Sequence, residues 1–391
     1  MKYPITPEYL SSAPDYVEKL YEDLETFVLK DICRRLKLSG AMTNSAVEQI
    51  KLLKRRGWSL DRIEKKIQNT LQLTDKELDA LYADAIQRNR QYYSDMLDKA
   101  GLVDAELESE AAFAEFDAIK RQTKGQFRNI TQSLGFAVRV NGAVKFLGIA
   151  EAYQKILDDA EMQVWSGSIS YNTAIRDAVK RLSDSGLQYV EYASGWHNRV
   201  DVAARRAIMT GITQISKEYS EEVAHTLNTP YREVTAHVGA RDKPGPSPWS
   251  SHKEWQGKVY SVKSGDKYPN IHTVCGLGYV DGLTGANCRH LYYPFVDGVS
   301  ERTWTDEQLA NIDPPPFTYQ GKEYTAYEAT QKQRQIETAI RTCKREVLAF
   351  KEAGLEVDYT DASVRLRRLN NEYKRFSKAA GLREQLERTN I

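Results

Sequence analysis

Histidine and cysteine are scarce in this chain, and they are concentrated. Four of the six histidines, His237, His252, His272 and His290, fall within His237–Phe295, together with Cys275 and Cys288, two of the four cysteines. Thiolate and imidazole are the donors of tetrahedral zinc. Cys275, Cys288 and His290, with His272, His252 or His237 as a fourth, therefore form the first candidate set. The spacing speaks against it. There is no C-x-x-C, and C-x12-C-x-H is not a knuckle pattern, so no stoichiometric metal and no other cofactor are expected. Hydrolysis is a second chemistry, with His237 or His252 as base and Arg241 or Lys258 facing a phosphate-like charge, because imidazole titrates near neutrality. No H-E-x-x-H, nucleophile elbow or paired-carboxylate motif accompanies it, and the glycines of CGLGYVDGLTG are followed by no Walker lysine. No enzyme is expected. The remaining reading is a fold-defining network. His237, Arg241, His252 and Asn287 satisfy buried backbone groups in a loop-rich domain, in one motif with Trp255, Gly257, Cys288, Arg289 and His290. Trp249, Trp255, Tyr268, Tyr279, Tyr292 and Tyr293 then supply its core.

This turn-rich island is too aromatic to stay solvated, and helical patterns flank it. After an arm with prolines at 4, 7 and 14, an apolar face of Val17, Leu20, Tyr21, Leu24, Phe27, Val28 and Ile32 predicts a helix from Asp15. Short helices are expected over Asn44–Arg56 and Leu60–Leu71. Thr74 and Glu77 fit a capping box that opens a helix to about Lys99. Helical patterns follow over Ala105–Lys124, Ile149–Trp165 and Tyr171–Ser183. Between them, FAVRVNGAVKFLG alternates around Asn141-Gly142, a type I′ hairpin signal. A long helix over Asn198–Leu227 carries Ala204, Ile208, Ile212, Ile215, Tyr219 and Val223 on one stripe, with Asn198 as N-cap. Arg199, Arg205 and Arg206 on it read as solvated.

Strands are expected at Tyr231–Val238, Lys258–Val262 and His290–Val296, and a small hairpin turns at Gln320-Gly321. Towards the C-terminus Ile336, Ile340, Cys343, Val347 and Phe350 form one stripe, and Leu366, Leu369, Tyr373, Phe376 and Ala380 another. Gly354 between them can stop the first helix, so the two fold back as a hairpin. The fold class is mainly α with a small α+β island: a helical region over 1–190, the island core over 191–317, and a β-hairpin plus helical hairpin over 318–391.

A chain of 391 residues has room for two or three cores. Its net charge of +1 gives no global footprint for nucleic acid. A DNA contact would need a local patch, for which Arg365, Arg367, Arg368, Lys374 and Arg375 are the candidates. No apolar run approaches the length of a membrane span, and the opening residues lack the apolar stretch of a secretory signal. Sparse cysteines argue against a disulfide scaffold and for a reducing cytosol.

Several segments of the island and its flanks carry a resemblance. HVGAR, HKEWQGKVYS, KYPN and GYVDGLTGANCRHLYYPF resemble the phage minor capsid protein 2 family, itself similar to the Mu F-like phage head morphogenesis proteins. DVAARRAIMTGITQ (Asp201–Gln214) and GKEYTAYEATQKQRQIETAIRTCKRE (Gly321–Glu346) match as well. The resemblance covers Asp201–Phe376 and makes the island a Mu F-like core. It implies a structural virion or prohead component assembled in the host cytoplasm, near the portal vertex, with the portal protein and the major capsid protein as partners. No membrane is involved, and no catalytic residue is carried over. The alternatives are a DNA-binding protein ejected with the genome and a His/Arg-dependent nuclease or toxin-like enzyme.

Overall fold

Apolar residues spaced three and four apart become helices along most of the chain. A computed structural model gives the fold and describes residues 3–37, 61–102, 107, 109–140, 142–191, 196–285 and 288–391. The expected helix over Asn44–Arg56, the turn residue Asn141 and the motif residue Asn287 lie outside the described residues. The proline-bearing arm holds a short helix, α1 (Pro7–Ser12), because Pro7 sits in the first turn and the Thr6 hydroxyl accepts the Tyr9 N–H at 3.1 Å. The Asp15 stripe becomes α2 (Asp15–Lys37), with Val17, Tyr21, Leu24, Val28 and Ile32 buried.

The capping box at Thr74 does not form. One helix, α3 (Asp61–Lys99), runs through it, and the buried Thr74 hydroxyl donates to Thr70 O at 2.8 Å. No glycine or proline interrupts that span, and a mid-helix threonine can bond back to the turn before it. Helix α4 (Glu110–Gln132) leads into the hairpin β1 (Leu134–Val140) and β2 (Ala143–Gly148), with Val140 opposite Ala143 and Gly142 at φ 83°. Helices α5 (Ile149–Trp165) and α6 (Tyr171–Ser185) follow, the second capped by Ser170.

Two strands were not read from the sequence, β3 (Gln188–Glu191) and β4 (Trp196–Arg199). They complete an antiparallel sheet in the order β2-β1-β3-β4. Four residues are too few for alternation to announce a strand. Asn198, expected as an N-cap, instead pairs with Tyr189 in that sheet, and the long helix α7 begins at Val200 and ends at Thr226.

The island holds a second antiparallel sheet. Strand β5 (Tyr231–Val234) lies between β6 (Val259–Ser261) and β7 (Tyr292–Phe295). Pro294 is tolerated because β7 is an edge strand. The last hairpin, β8 (Phe317–Tyr319) and β9 (Lys322–Tyr324), turns through Gln320 and Gly321, both at positive φ as a type I′ turn requires. After the short helices α8 (His252–Trp255), α9 (Ile271–Val274) and α10 (Asp306–Ala310), helices α11 (Ala326–Ala353) and α12 (Glu356–Ala379) are joined at Gly354, at φ 75°, where Leu355 N–H reaches Phe350 O at 3.0 Å. That bond is the 6→1 closure of a Schellman stop.

The chain packs into two compact units, each discontinuous in sequence. One gathers Met1–Asp15, Lys76–Gly125 and Arg205–Lys332. Within it Tyr93 stacks on Tyr219, Phe116 on Tyr219, and Tyr3 on Tyr293, whose hydroxyl donates to Ile5 O at 2.8 Å. The other gathers Tyr16–Asp75, Gln126–Ala204 and Gln333–Ile391. There Ile336, Ile340, Cys343, Phe350, Tyr373 and Phe376 of the C-terminal hairpin are buried, while Val347, Leu366, Leu369 and Ala380 are half-buried. The same unit holds a buried ion network. Arg199 donates to Glu25 at 3.2 Å and to Asp201 at 3.1 Å, while Arg341 and Arg345 approach Asp201 and Glu25 at 3.4 and 3.6 Å. Arg199 is thus a buried structural cation and not a solvated one. In the first unit Arg205 is tied to Ser11 O at 2.6 Å.

Candidate functional site

The polar centre of the island is built from two segments. The short helix α8 (His252–Trp255) supplies His252 and Trp255. The residues that lead into β7 supply Cys288, Arg289 and His290. Ladder bonds position the second group: Thr235 Oγ1 accepts the Leu291 N–H at 3.0 Å, and Thr235 N–H reaches Leu291 O at 2.9 Å. Gly257 follows the helix at φ 68°, and the Leu309 side chain fills the space a Cβ would need. Only glycine meets both conditions there.

Three imidazoles converge. His237 stacks on His290 with ring centroids 4.4 Å apart, and His252 meets His290 edge-on at 5.5 Å. The Cys288 sulfur lies 3.6 Å from His290 Nδ1 and 3.8 Å from His252 Nδ1. The far nitrogens are committed elsewhere. His252 Nε2 faces the carbonyl oxygen of Asp281 at 3.2 Å, and His290 Nε2 faces Gln256 Oε1 at 3.1 Å. Both acceptors are oxygens, so each Nε2 carries the proton and each Nδ1 turns a lone pair to Cys288. Gln256 Oε1 also accepts the His237 N–H at 3.0 Å. Its own Nε2 is buried and has no partner among the described residues.

The electrostatics keep these rings neutral. Burial first, then the Arg289 guanidinium, pushes the His237 pKa down to about 3. Burial pushes His252 down to about 4, and the bond to Asp281 only partly restores it. Burial, then the neighbouring His237, hold His290 well below the ordinary range. Burial raises the Cys288 thiol. Around this centre Trp255 is 2% exposed and donates its indole N–H to Trp249 O at 2.9 Å. Asp281 accepts from Ser247 at 2.7 Å and from the Trp249 indole at 2.9 Å.

The residues named from the sequence separate. His252, Cys288 and His290 come together, with His237, Arg289 and Trp255 against them. Arg241 is half-buried and caps the short helix by accepting the Lys253 N–H on its carbonyl at 3.0 Å. Cys275 lies outside the donor set, in an apolar core with Val234, Tyr260, Ile271, Leu277 and Leu283 that Cys288 and Trp255 also join. His272 is exposed, its Nδ1 directed at Leu277 O. Lys258 is exposed and donates to Glu254 O. Tyr279, expected in the core, is 55% exposed and only covers the Trp249 ring. The sequence did not single out Gln256. Its sole signal is an amide beside a tryptophan and a glycine, too common a pattern to read. In the tail, Arg365 pairs with Glu346 and Arg375 with Glu372, while Arg367, Arg368 and Lys374 are exposed.

A general base must reach a substrate proton. These imidazoles are buried and face a thiol or protein carbonyls, so the geometry speaks of holding segments together. The model of the phage minor capsid protein 2 family matches residues 5–378, nearly the whole chain. The chain belongs to the phage minor capsid protein 2 family. A relative named a structural protein, from Lactococcus phage LL-H, is 30% identical over 175 residues, covering 40% of this chain and 43% of that protein. The chain therefore spans less than half the length of this curated relative. No solved structure matches. Among the described residues, no helix is long and apolar enough to cross a membrane.

Proposed function

We propose that this minor capsid protein is a structural component of the phage head that docks at or near the portal vertex and acts by assembly, without catalysis. The family match over residues 5–378 carries the reading. The net charge of +1 supports it, because specific protein contacts need no global basic field. The buried state of His237, His252 and His290 supports a structural role for the island. The proposed partners are the portal protein and the major capsid protein, met in the host cytoplasm before the protein enters the virion. Most of the first apolar stripe of the C-terminal hairpin is buried in its own unit, while Leu366 and Leu369 of the second are only half-buried and remain available for docking.

Co-expression with the cognate portal and capsid proteins tests the proposal. Stable co-purification with the portal, or incorporation into proheads in a fixed copy number, is the expected outcome. A soluble protein absent from proheads and virions would overturn it. DNA retention that falls steeply with salt, and is lost when Arg367, Arg368 and Lys374 become glutamate, would move the protein to the genome-ejected class.

A further inference from the structure

Cys288 and His252 lie 36 residues apart, yet their donor atoms face each other, and His290 completes the set. The ligand atoms of His252, Cys288 and His290 all lie within 4.8 Å of one another, and all three residues are buried. A thiol has one proton to give, but here it faces two imidazole lone pairs and the His290 carbonyl oxygen at 3.8 Å. As a hydrogen-bonded cluster the arrangement leaves one buried Nδ1 without a proton donor. As a ligand set it leaves nothing over.

We propose that Cys288 Sγ, His252 Nδ1 and His290 Nδ1 bind one zinc ion, which links the short helix α8 to the approach to β7. Three features carry the assignment. The donor set is the nitrogen and sulfur mixture that zinc takes, at bond lengths of about 2.0–2.3 Å. A tetrahedron of those bonds separates sulfur from nitrogen by roughly 3.5 Å, against 3.6 and 3.8 Å observed. Each imidazole also donates its far N–H to a fixed oxygen, Asp281 O or Gln256 Oε1. That outer bond is how proteins orient a metal-binding histidine, and it accounts for the buried Gln256 amide turned at the expense of its own Nε2. Binding forms one Zn–S and two Zn–N bonds and breaks the S–H bond, whose proton leaves to solvent. The backbone N–H of His290 points at the same sulfur at 3.4 Å and favours the thiolate.

The full chain, purified without chelator, should contain close to one zinc per chain by elemental analysis. Removing it with a chelator should lower the melting temperature, and zinc should restore it. Cobalt(II) in its place should show the thiolate-to-metal charge-transfer band together with tetrahedral ligand-field bands. Cys288→Ser should lose the charge-transfer band, and His252→Gln should lose stoichiometric binding. Cys275→Ala and His272→Gln, which lie outside the set, should keep both. Gln256→Ala should weaken zinc binding about ten- to hundredfold without removing a ligand. A wild-type chain that binds neither ion stoichiometrically, and whose melting ignores zinc, would overturn the assignment even if Cys288→Ser failed to fold. So would a charge-transfer band that survives in Cys288→Ser.

Discussion

Trp255 is wedged between two of the imidazoles, its ring 4.5 Å from His252 and 4.9 Å from His290. Its indole N–H is satisfied by Trp249 O, and its carbonyl accepts the Tyr260 hydroxyl at 2.9 Å. With few ladder bonds nearby, one aromatic fixes both walls of the cluster. Trp255→Ala should therefore cost about 3–5 kcal/mol, measured by chemical denaturation, and should also loosen His252 and His290. A loss under about 1 kcal/mol would remove Trp255 from its anchoring role. The tryptophan was legible in the sequence because a large aromatic in a turn-rich stretch has few other uses. The pairing of each imidazole with its acceptor was not, since Asp281 and Gln256 are brought to the rings by tertiary folding alone.

The elements show where propensity predicts and where packing overrides it. Gly211 lies inside α7, where a glycine normally weakens a helix by about 1 kcal/mol relative to alanine. A Cβ there would run into the Tyr82 hydroxyl, which is buried and hydrogen-bonded to Thr123 at 2.6 Å. Helices α3, α4 and α7 approach one another at this point, so Gly211→Ala should destabilise by about 1–3 kcal/mol through overpacking. Gly125, in α4, has nothing near its would-be Cβ, and Gly125→Ala should instead stabilise by about 0.5–1 kcal/mol. Thermal or denaturant melts of the two variants check the pair, and shifts of the same sign would remove the distinction. Sequence periodicity located α5 from Ile149 to Trp165 and the stop at Gly354, because both depend on residues close in the chain. It placed a helix start at Thr74 where none exists, because a capping pattern cannot reveal that the same hydroxyl will be buried in a continuous helix.

The second unit is tied together by charges far apart in sequence. Glu22 and Glu25 from α2, Arg199 and Asp201 around the start of α7, and Arg341 and Arg345 from α11 meet in one buried network within the second unit. Burial raises the pKa of Asp201, but the Arg199 and Arg341 charges outweigh it and hold the carboxyl below its ordinary range. Glu22 goes the other way. Burial pushes it up to about 8, Arg341 pulls it down, and Asp201, Glu18 and Glu25 add to the rise. A carboxyl with a raised folded pKa contributes stability that is present below its ordinary value near 4.5 and is lost as pH rises through about 8. Glu22→Gln should thus match the wild type near pH 4 and become progressively more stable towards pH 8. The gap should widen by no more than about 1.4 kcal/mol per pH unit. Taking the difference isolates Glu22 from His237, His252 and His290, whose depressed pKa values make stability fall as pH drops below about 6.5. Parallel profiles for variant and wild type would show that Glu22 ionises freely.

The helical character, the hairpins at Gly142 and Gln320-Gly321, the C-terminal helical hairpin and the family are all legible along the chain, because periodicity, turn residues and ordered motifs are local information. The sequence also gathers four of the six histidines and two of the four cysteines into one island. Which of them meet depends on long-range packing. Chain spacing argued against a metal set, yet antiparallel pairing of β5 with β7 and a four-residue helix bring His252 beside Cys288 and His290 while leaving Cys275 in the apolar core and His272 at the surface. Ligand distance is a property of the fold, and a count of intervening residues carries it only when those residues form a single turn.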